Sequence, residues 1–168
     1  MKLSIIILAA GKGTRMYSNL PKVIHSIANK PMLQHVIDSS KELNPVSQFI
    51  VVGYKSAQIK ESIQQNDKIK WVNQEEQLGT GHAVSQVLPY LDDEGVSLVL
   101  YGDVPLIDSN TLSQLISSEQ EQYLSLLTDI VSYPQGYGRI IRDNNNNVTK
   151  IVEEKDANDE QKKINEVN

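Results

Sequence analysis

The 168-residue chain contains no cysteine, so it can form no disulfide and carries no thiol nucleophile or cysteine-based metal site. Nor does it contain an apolar run of the roughly 18 residues that a membrane span requires. The first thirty positions hold five Lys/Arg and no carboxylate. The formal net charge is −5, which argues against a general nucleic-acid coat. Hydrophobic residues at 39% and charged residues at 22% fit a globular protein rather than a disordered one. The length suits one domain with a real core. The expected setting is the cytoplasm, with neither nucleic acid nor membrane as partner.

The charge is unevenly spread. Residues 1–60 carry eight Lys/Arg against Asp38 and Glu42, a balance of +6 that leaves −11 for the rest. A solvated basic face and a small bound anion both account for this, and position favours the anion. Three of the cations (Lys12, Arg15 and Lys22) lie in or just after a glycine-containing loop.

Hydrophobic patterning predicts alternating strands and helices. Residues 3–9 form a β-branched run typical of a parallel strand covered on both faces, and a first core strand fits them better than a signal peptide. Met32, Leu33, Val36, Ile37 and Leu43 recur at helical spacing. Residues 49–52, 69–72 and 96–101 read as further strands. Ile59 and Ile63 mark a helix, Ala83, Val84, Val87, Leu88 and Leu91 another. A helix bearing Leu112, Leu115 and Ile116 is expected with Ser109 or Asn110 as its cap. Beyond it the pattern changes. Residues 124–132, 138–142 and 148–152 are strand-like, with an Asp-Asn turn at 143–147. Residues 156–168 show no apolar stripe and no closing element. Such alternation implies right-handed crossovers and an α/β fold with a mostly parallel sheet.

Ligands of open α/β sheets bind beyond the carboxyl ends of the strands. The loop there reads Gly11-Lys12-Gly13-Thr14-Arg15-Met16, followed by Pro21-Lys22. Its two glycines allow close backbone approach, and its N–H groups suit phosphate oxygens. Arg15 and Lys22 add a planar fork and a mobile point charge. A dinucleotide fingerprint is excluded because Met16 stands where the third glycine belongs, and the Walker spacing is absent. His25, His35 and His82 lack metal-site spacing, so packing or capping is expected of His35 and His82. Trp71 and Tyr90 are expected to pack, and no serine can be argued into a catalytic triad.

The string Leu8-Ala9-Ala10-Gly11-x-Gly13-Thr14-Arg15-Met16 with Pro21-Lys22 resembles the signature of nucleotidyltransferases that join a nucleoside triphosphate to a phosphorylated sugar or alcohol. Gln74-Glu75-Glu76-Gln77-Leu78-Gly79-Thr80-Gly81-His82-Ala83, Leu100-Tyr101-Gly102-Asp103-Val104-Pro105-Leu106, Gly136-Tyr137-Gly138-Arg139-Ile140 and Ile151-Val152-Glu153-Glu154-Lys155-Asp156-Ala157 narrow it further. Together they resemble the bacterial bifunctional N-acetylglucosamine-1-phosphate uridyltransferase/glucosamine-1-phosphate acetyltransferase family, GlmU. The likeness runs along essentially the whole chain.

That resemblance implies a Rossmann-like nucleotide-diphospho-sugar transferase fold. It also implies uridylyl transfer from UTP to N-acetylglucosamine-1-phosphate, giving UDP-N-acetylglucosamine and pyrophosphate for peptidoglycan and lipopolysaccharide precursors. Leu8, Ala9, Ala10 and Gly11 would meet the nucleotide, Arg15 and Lys22 would act on its phosphates, and Gln74, Gly79 and Thr80 would hold the uracil. In that assignment Gln74 supplies both an amide donor and a carbonyl acceptor. Asp103 would bind Mg²⁺, while Tyr101, Gly102, Gly138, Glu153 and Asn168 would contact the sugar phosphate. In the family this domain runs on past residue 168 to a second Mg²⁺ ligand, an asparagine, and then to a left-handed β-helix that carries the acetyltransferase and builds trimers. Residues 1–168 would therefore be the N-terminal part of the nucleotidyltransferase domain, with uridylyl transfer impaired and acetyl transfer absent. A related enzyme using another nucleotide or sugar phosphate, and a non-catalytic nucleotide-binding module, stay open beside it.

Overall fold

A computed structural model describes residues 2–13, 16–117 and 124–168. The chain separates into two compact units, residues 1–116 and 117–168.

The first unit is built on a four-stranded parallel sheet. Its strands are β1 (Lys2–Ala9), β4 (Ser47–Val52), β5 (Ile69–Asn73) and β6 (Gly95–Tyr101), in the order β5-β4-β1-β6. β1 is central, with Ile6 opposite Phe49 on one side and Val99 on the other. Successive side chains of a strand point to opposite faces, and here both faces are covered. Ile5, Ile7, Ile50, Val52, Leu98 and Leu100 pack on one side with Leu33, Val36 and Ile37 of helix α1 (Met32–Lys41), Ile59 of α2 (Ser56–Ser62) and Leu112 of α4 (Ser109–Ser117). Ile6, Phe49, Val51 and Val72 pack on the other with Ala83 of α3 (Thr80–Ser85) and Val87. This double covering is why residues 3–9 read as a nearly unbroken apolar run. A small hairpin, β2 (Ser26–Ile27) with β3 (Lys30–Pro31), precedes α1, and His35 bonds its Ile27 carbonyl through Nε2 at 2.9 Å.

Two expectations for this unit are corrected. The stripe from Ala83 to Leu91 is not one helix: α3 ends at Ser85, and a 3-10 turn follows at Leu88–Tyr90. Pro89 lacks the N–H that a continuing helix would need, and Tyr90 instead stacks on Phe49 with ring centroids 6.2 Å apart. The cap of α4 is neither Ser109 nor Asn110. Asp108 accepts from the Thr111 N–H at 2.9 Å and from its hydroxyl at 3.0 Å, and a carboxylate in that position satisfies donors the helix leaves free.

The second unit holds an antiparallel sheet ordered β7-β10-β8-β9, from β7 (Asp129–Ile130), β8 (Arg139–Arg142), β9 (Val148–Val152) and β10 (Glu166–Val167). The Asp-Asn run makes the expected turn. Asp143 Oδ1 accepts from the N–H groups of Asn145 and Asn147, both at 2.9 Å, and Asn146 has φ 67°. Within residues 124–132 the strand is only the two residues of β7. The end does carry a closing element, because Val167 is buried and Asp129 and Arg139 are its partners on either side. Arg139 is 1% exposed. Its Nη2 meets Glu154 Oε2 at 2.6 Å, Nη1 donates to the Tyr137 carbonyl, and that guanidinium holds the Glu154 carboxyl below its usual range.

Candidate nucleotide cleft

Four separated stretches of the first unit end at one place. β1 delivers Leu8, Ala9, Ala10 and Gly11, the turn after Pro21 delivers Lys22, the segment after β5 delivers Gln74, Gly79 and Thr80, and the end of β6 delivers Tyr101 and Asp103. All ten line a single cavity of about 430 Å³. The common cause is the parallel sheet, which points the carboxyl ends of neighbouring strands the same way. Met16, Val23 and Gln77 line it too.

The loop after β1 is folded against Lys22. Gly13 has φ +61°, and a Cβ there would lie 2.7 Å from the Lys22 Cβ, so both its conformation and its surroundings require glycine. Lys22 begins a 3-10 turn at Lys22–Ile24, and its Nζ sits 2.6 Å from Asp103 Oδ2. The two side chains are 37% and 30% exposed. The cation expected on phosphate and the carboxylate expected on metal thus face one another across the cleft. Residues 14 and 15 lie outside the described residues, and with them the expected role of Arg15.

Gly102 does not line the cavity. It is buried beneath, donates its N–H to the Leu8 carbonyl at 2.9 Å, and would press a Cβ against Leu33 Cδ1 and Leu8 O at 3.1 Å. Its smallness lets β6 close on β1.

Gln74 is 3% exposed and held from three sides. Its backbone N–H donates to the Val52 carbonyl at 2.8 Å. Its side-chain Nε2 lies 3.1 Å from the Gly79 carbonyl and 3.0 Å from His82 Nδ1. His82 Nε2 in turn lies 3.1 Å from Gln86 Nε2, which also donates to the His82 carbonyl at 3.2 Å. The expectation that His82 packs or caps is therefore replaced: Gly79 occupies the cap position of α3, and the His82 ring lies between two glutamine amides.

Among the described residues no group of three His, Asp or Glu side chains could hold a metal. Asp103 stands alone at the cleft. One carboxylate is what a Mg²⁺ that keeps its waters and binds substrate phosphates uses, and does not make a protein-built cage. The donor set fits that kind of metal.

The remaining expected residues belong to the second unit. Gly138 immediately precedes β8, and its carbonyl accepts from the Asn168 N–H at 3.3 Å. A Cβ on Gly138 would collide with Asn168 Oδ1. Glu153 is exposed just after β9 and heads the turn Glu154–Asp156.

A parallel sheet with a glycine loop, a basic side chain and a lone carboxylate at its carboxyl edge defines a nucleotidyltransferase-type α/β protein. The chain belongs to the MobA-like NTP transferase domain family, whose model matches residues 5–135. At closer range it is 52% identical over 168 residues to the bifunctional protein GlmU of Idiomarina loihiensis, and 54% identical over 166 residues to that of Neisseria meningitidis serogroup C. These alignments cover 100% and 99% of this chain but 37% and 36% of the relatives, so the chain spans little more than a third of their length. A crystal structure of UDP-glucose pyrophosphorylase complexed with UDP-glucose matches in fold, with TM-score 0.79 at 21% identity over 99% of this chain and 74% of that one. Among the described residues no helix is long and apolar enough to cross a membrane.

Proposed function

We propose that the cleft binds UTP and that the protein transfers its uridylyl group to N-acetylglucosamine-1-phosphate, releasing pyrophosphate, in the cytoplasm where UTP is made. The supporting observation is the convergence of Ala10, Gly11, Lys22, Gln74, Gly79, Thr80 and Asp103 on one cavity. Roughly half-identity to GlmU proteins along the whole chain supports the choice of substrates.

The chemistry is direct displacement. A phosphate oxygen of the sugar phosphate attacks the α-phosphorus, the bond from that phosphorus to the α–β bridging oxygen breaks, and pyrophosphate leaves. No covalent enzyme intermediate is required, so the protein's contribution is alignment and charge. The Ala10-Gly11 backbone lets the nucleotide lie close against the end of β1. Lys22 supplies positive charge to the phosphates, and to do so it must exchange its bond to Asp103 for bonds to phosphate oxygens. Asp103, freed by that exchange, is the residue that would hold Mg²⁺. When bound, the metal neutralises phosphate charge and polarises the reacting group. Tyr101, half-exposed at the end of β6, is the cleft residue assigned to the sugar phosphate. For Gly138, Glu153 and Asn168 the sugar assignment rests on the family resemblance.

Calorimetry with UTP, with and without Mg²⁺, tests the reading together with pyrophosphate release from UTP and N-acetylglucosamine-1-phosphate. Metal-dependent binding with turnover is expected. Binding without any pyrophosphate release would identify a nucleotide-binding module instead, and no binding of UTP would overturn the proposal.

A further inference from the structure

We propose that His82 is a positioning residue that sets the base specificity of the cleft by fixing which atom of the Gln74 amide is offered to the nucleotide. This rests on the reading that the cleft takes a pyrimidine nucleoside triphosphate.

A primary amide is ambiguous by itself, because turning it over exchanges two donors for an acceptor. Near Gln74 the ambiguity is removed. The Gly79 carbonyl can only accept, so the amide atom 3.1 Å away must be the nitrogen. The second N–H of that nitrogen is directed at His82 Nδ1, 3.0 Å away. Both donors are thereby used inside the protein, and the amide keeps only Oε1 for a ligand. Instead of the donor-and-acceptor pair expected from sequence, Gln74 presents an acceptor alone.

For His82 to receive that bond, Nδ1 must carry the lone pair, which places the ring proton on Nε2. A neutral imidazole has one such nitrogen and cannot accept from Gln74 and Gln86 together. Gln74, buried and held by a second bond to Gly79, takes the lone pair. Gln86, half-buried on the next turn, directs its amide N–H at the His82 carbonyl, 3.2 Å away, rather than at the ring. The bonds from Gln74 to Gly79 and His82 thus run in one direction and leave a carbonyl oxygen at the cleft wall.

That acceptor selects among bases. Uracil and thymine carry N3–H, a donor that pairs with it, whereas cytosine seated in the same way carries a lone pair at N3. Unpaired or opposed polar atoms in a closed site discriminate more strongly than apolar shape does.

The test compares the full chain with His82→Leu, which removes the acceptor, and His82→Asn, whose Oδ1 can stand in for Nδ1. Dissociation constants for UTP, CTP and dTTP are measured by calorimetry in Mg²⁺, and folding is checked by thermal melting. The preference for UTP over CTP is expected to fall about tenfold in His82→Leu and to be retained in His82→Asn. The dTTP-to-UTP ratio should stay unchanged, since both bases carry N3–H. Equal weakening of UTP and CTP in His82→Leu would show a merely structural ring and overturn the inference while leaving the uridine assignment intact. A wild-type chain that binds none of the three would instead overturn the nucleotide reading itself. Nitrogen NMR of the wild-type His82 ring keeps the question decidable if His82→Leu does not fold: Nδ1 must be the unprotonated nitrogen, and the opposite tautomer refutes the lock.

Discussion

Lys22 and Asp103 are the two residues whose contact says most about how the site is used. A lysine placed for phosphate and an aspartate placed for metal would each be costly to leave unpaired in a partly closed cleft, and their 2.6 Å contact removes that cost until ligand arrives. Their partial exposure keeps the pair weak enough to exchange. Crossed effects follow. Lys22→Ala is expected to weaken UTP binding about tenfold or more, by loss of a charge-assisted contact, while leaving Asp103 free for metal. Asp103→Ala should abolish the metal dependence of binding yet preserve metal-free UTP affinity, because Lys22 is released. Calorimetry at matched ionic strength distinguishes the two, and parallel losses in both variants would contradict the exchange. Gly13→Ala acts on the same point indirectly. The positive φ costs a non-glycine residue about 1–2 kcal/mol, and the added Cβ meets Lys22. Lower stability and weaker UTP binding are expected together, measured by denaturant unfolding and calorimetry.

Elements differ in how plainly they were written in the sequence, and the reason is where their stabilisation lies. β1 and β4 are buried on both faces, so their β-branched runs announce them. α1 shows its stripe because Leu33, Val36 and Ile37 all meet the sheet. For Ile37, fully buried there, substitution by alanine should cost roughly 2–5 kcal/mol in denaturant unfolding. β7 and β10, by contrast, are two residues long and exist through pairing, which no local pattern encodes. The site divides the same way. Gln74, Lys22 and Asp103 stood out as members of recognisable segments, but the role of His82 depends on an amide that the fold brings against it.

β10 also carries the titration that matters for the second unit. Glu166 bonds the Arg142 guanidinium through both oxygens, at 2.6 and 2.8 Å, and accepts from the Thr128 hydroxyl at 2.8 Å. Arg142 first and Thr128 second hold its carboxyl at about 2, against an ordinary 4.5. A depressed native value means the unfolded chain binds the proton more readily. Stability from this group is therefore complete above about pH 4.5 and is lost as pH falls toward 2. Glu166→Gln should lower stability at neutral pH and flatten the acid slope across that window, read by hydrogen exchange of β8 and β10 amides. An unchanged slope would show that the pair contributes nothing to folding.

At the scale of the whole molecule the charge balance divides along the chain, and the division predicts how ligand binding responds to salt. Lys22 is offset locally by Asp103, so long-range attraction for an anion falls to the rest of residues 1–60, with their excess of five positive charges. A triphosphate approaching that segment gains attraction that acts over about 8 Å in 0.15 M salt and shrinks to about 3 Å at 1 M. UTP affinity should therefore fall several-fold between low and high ionic strength, mainly through a slower association rate. Uridine, which offers the same base and no phosphate, should bind weakly with little change over that range. The remaining residues carry a net charge of −11, so a polyanion such as DNA is expected to bind weakly. A salt series by stopped-flow and calorimetry, run with UTP, uridine and duplex DNA, separates these contributions. If UTP and uridine weakened in parallel, the phosphates would not be what the basic segment attracts. If DNA bound with a steep salt slope, the segment would be a polyanion surface, and the cleft would lose its claim on those charges.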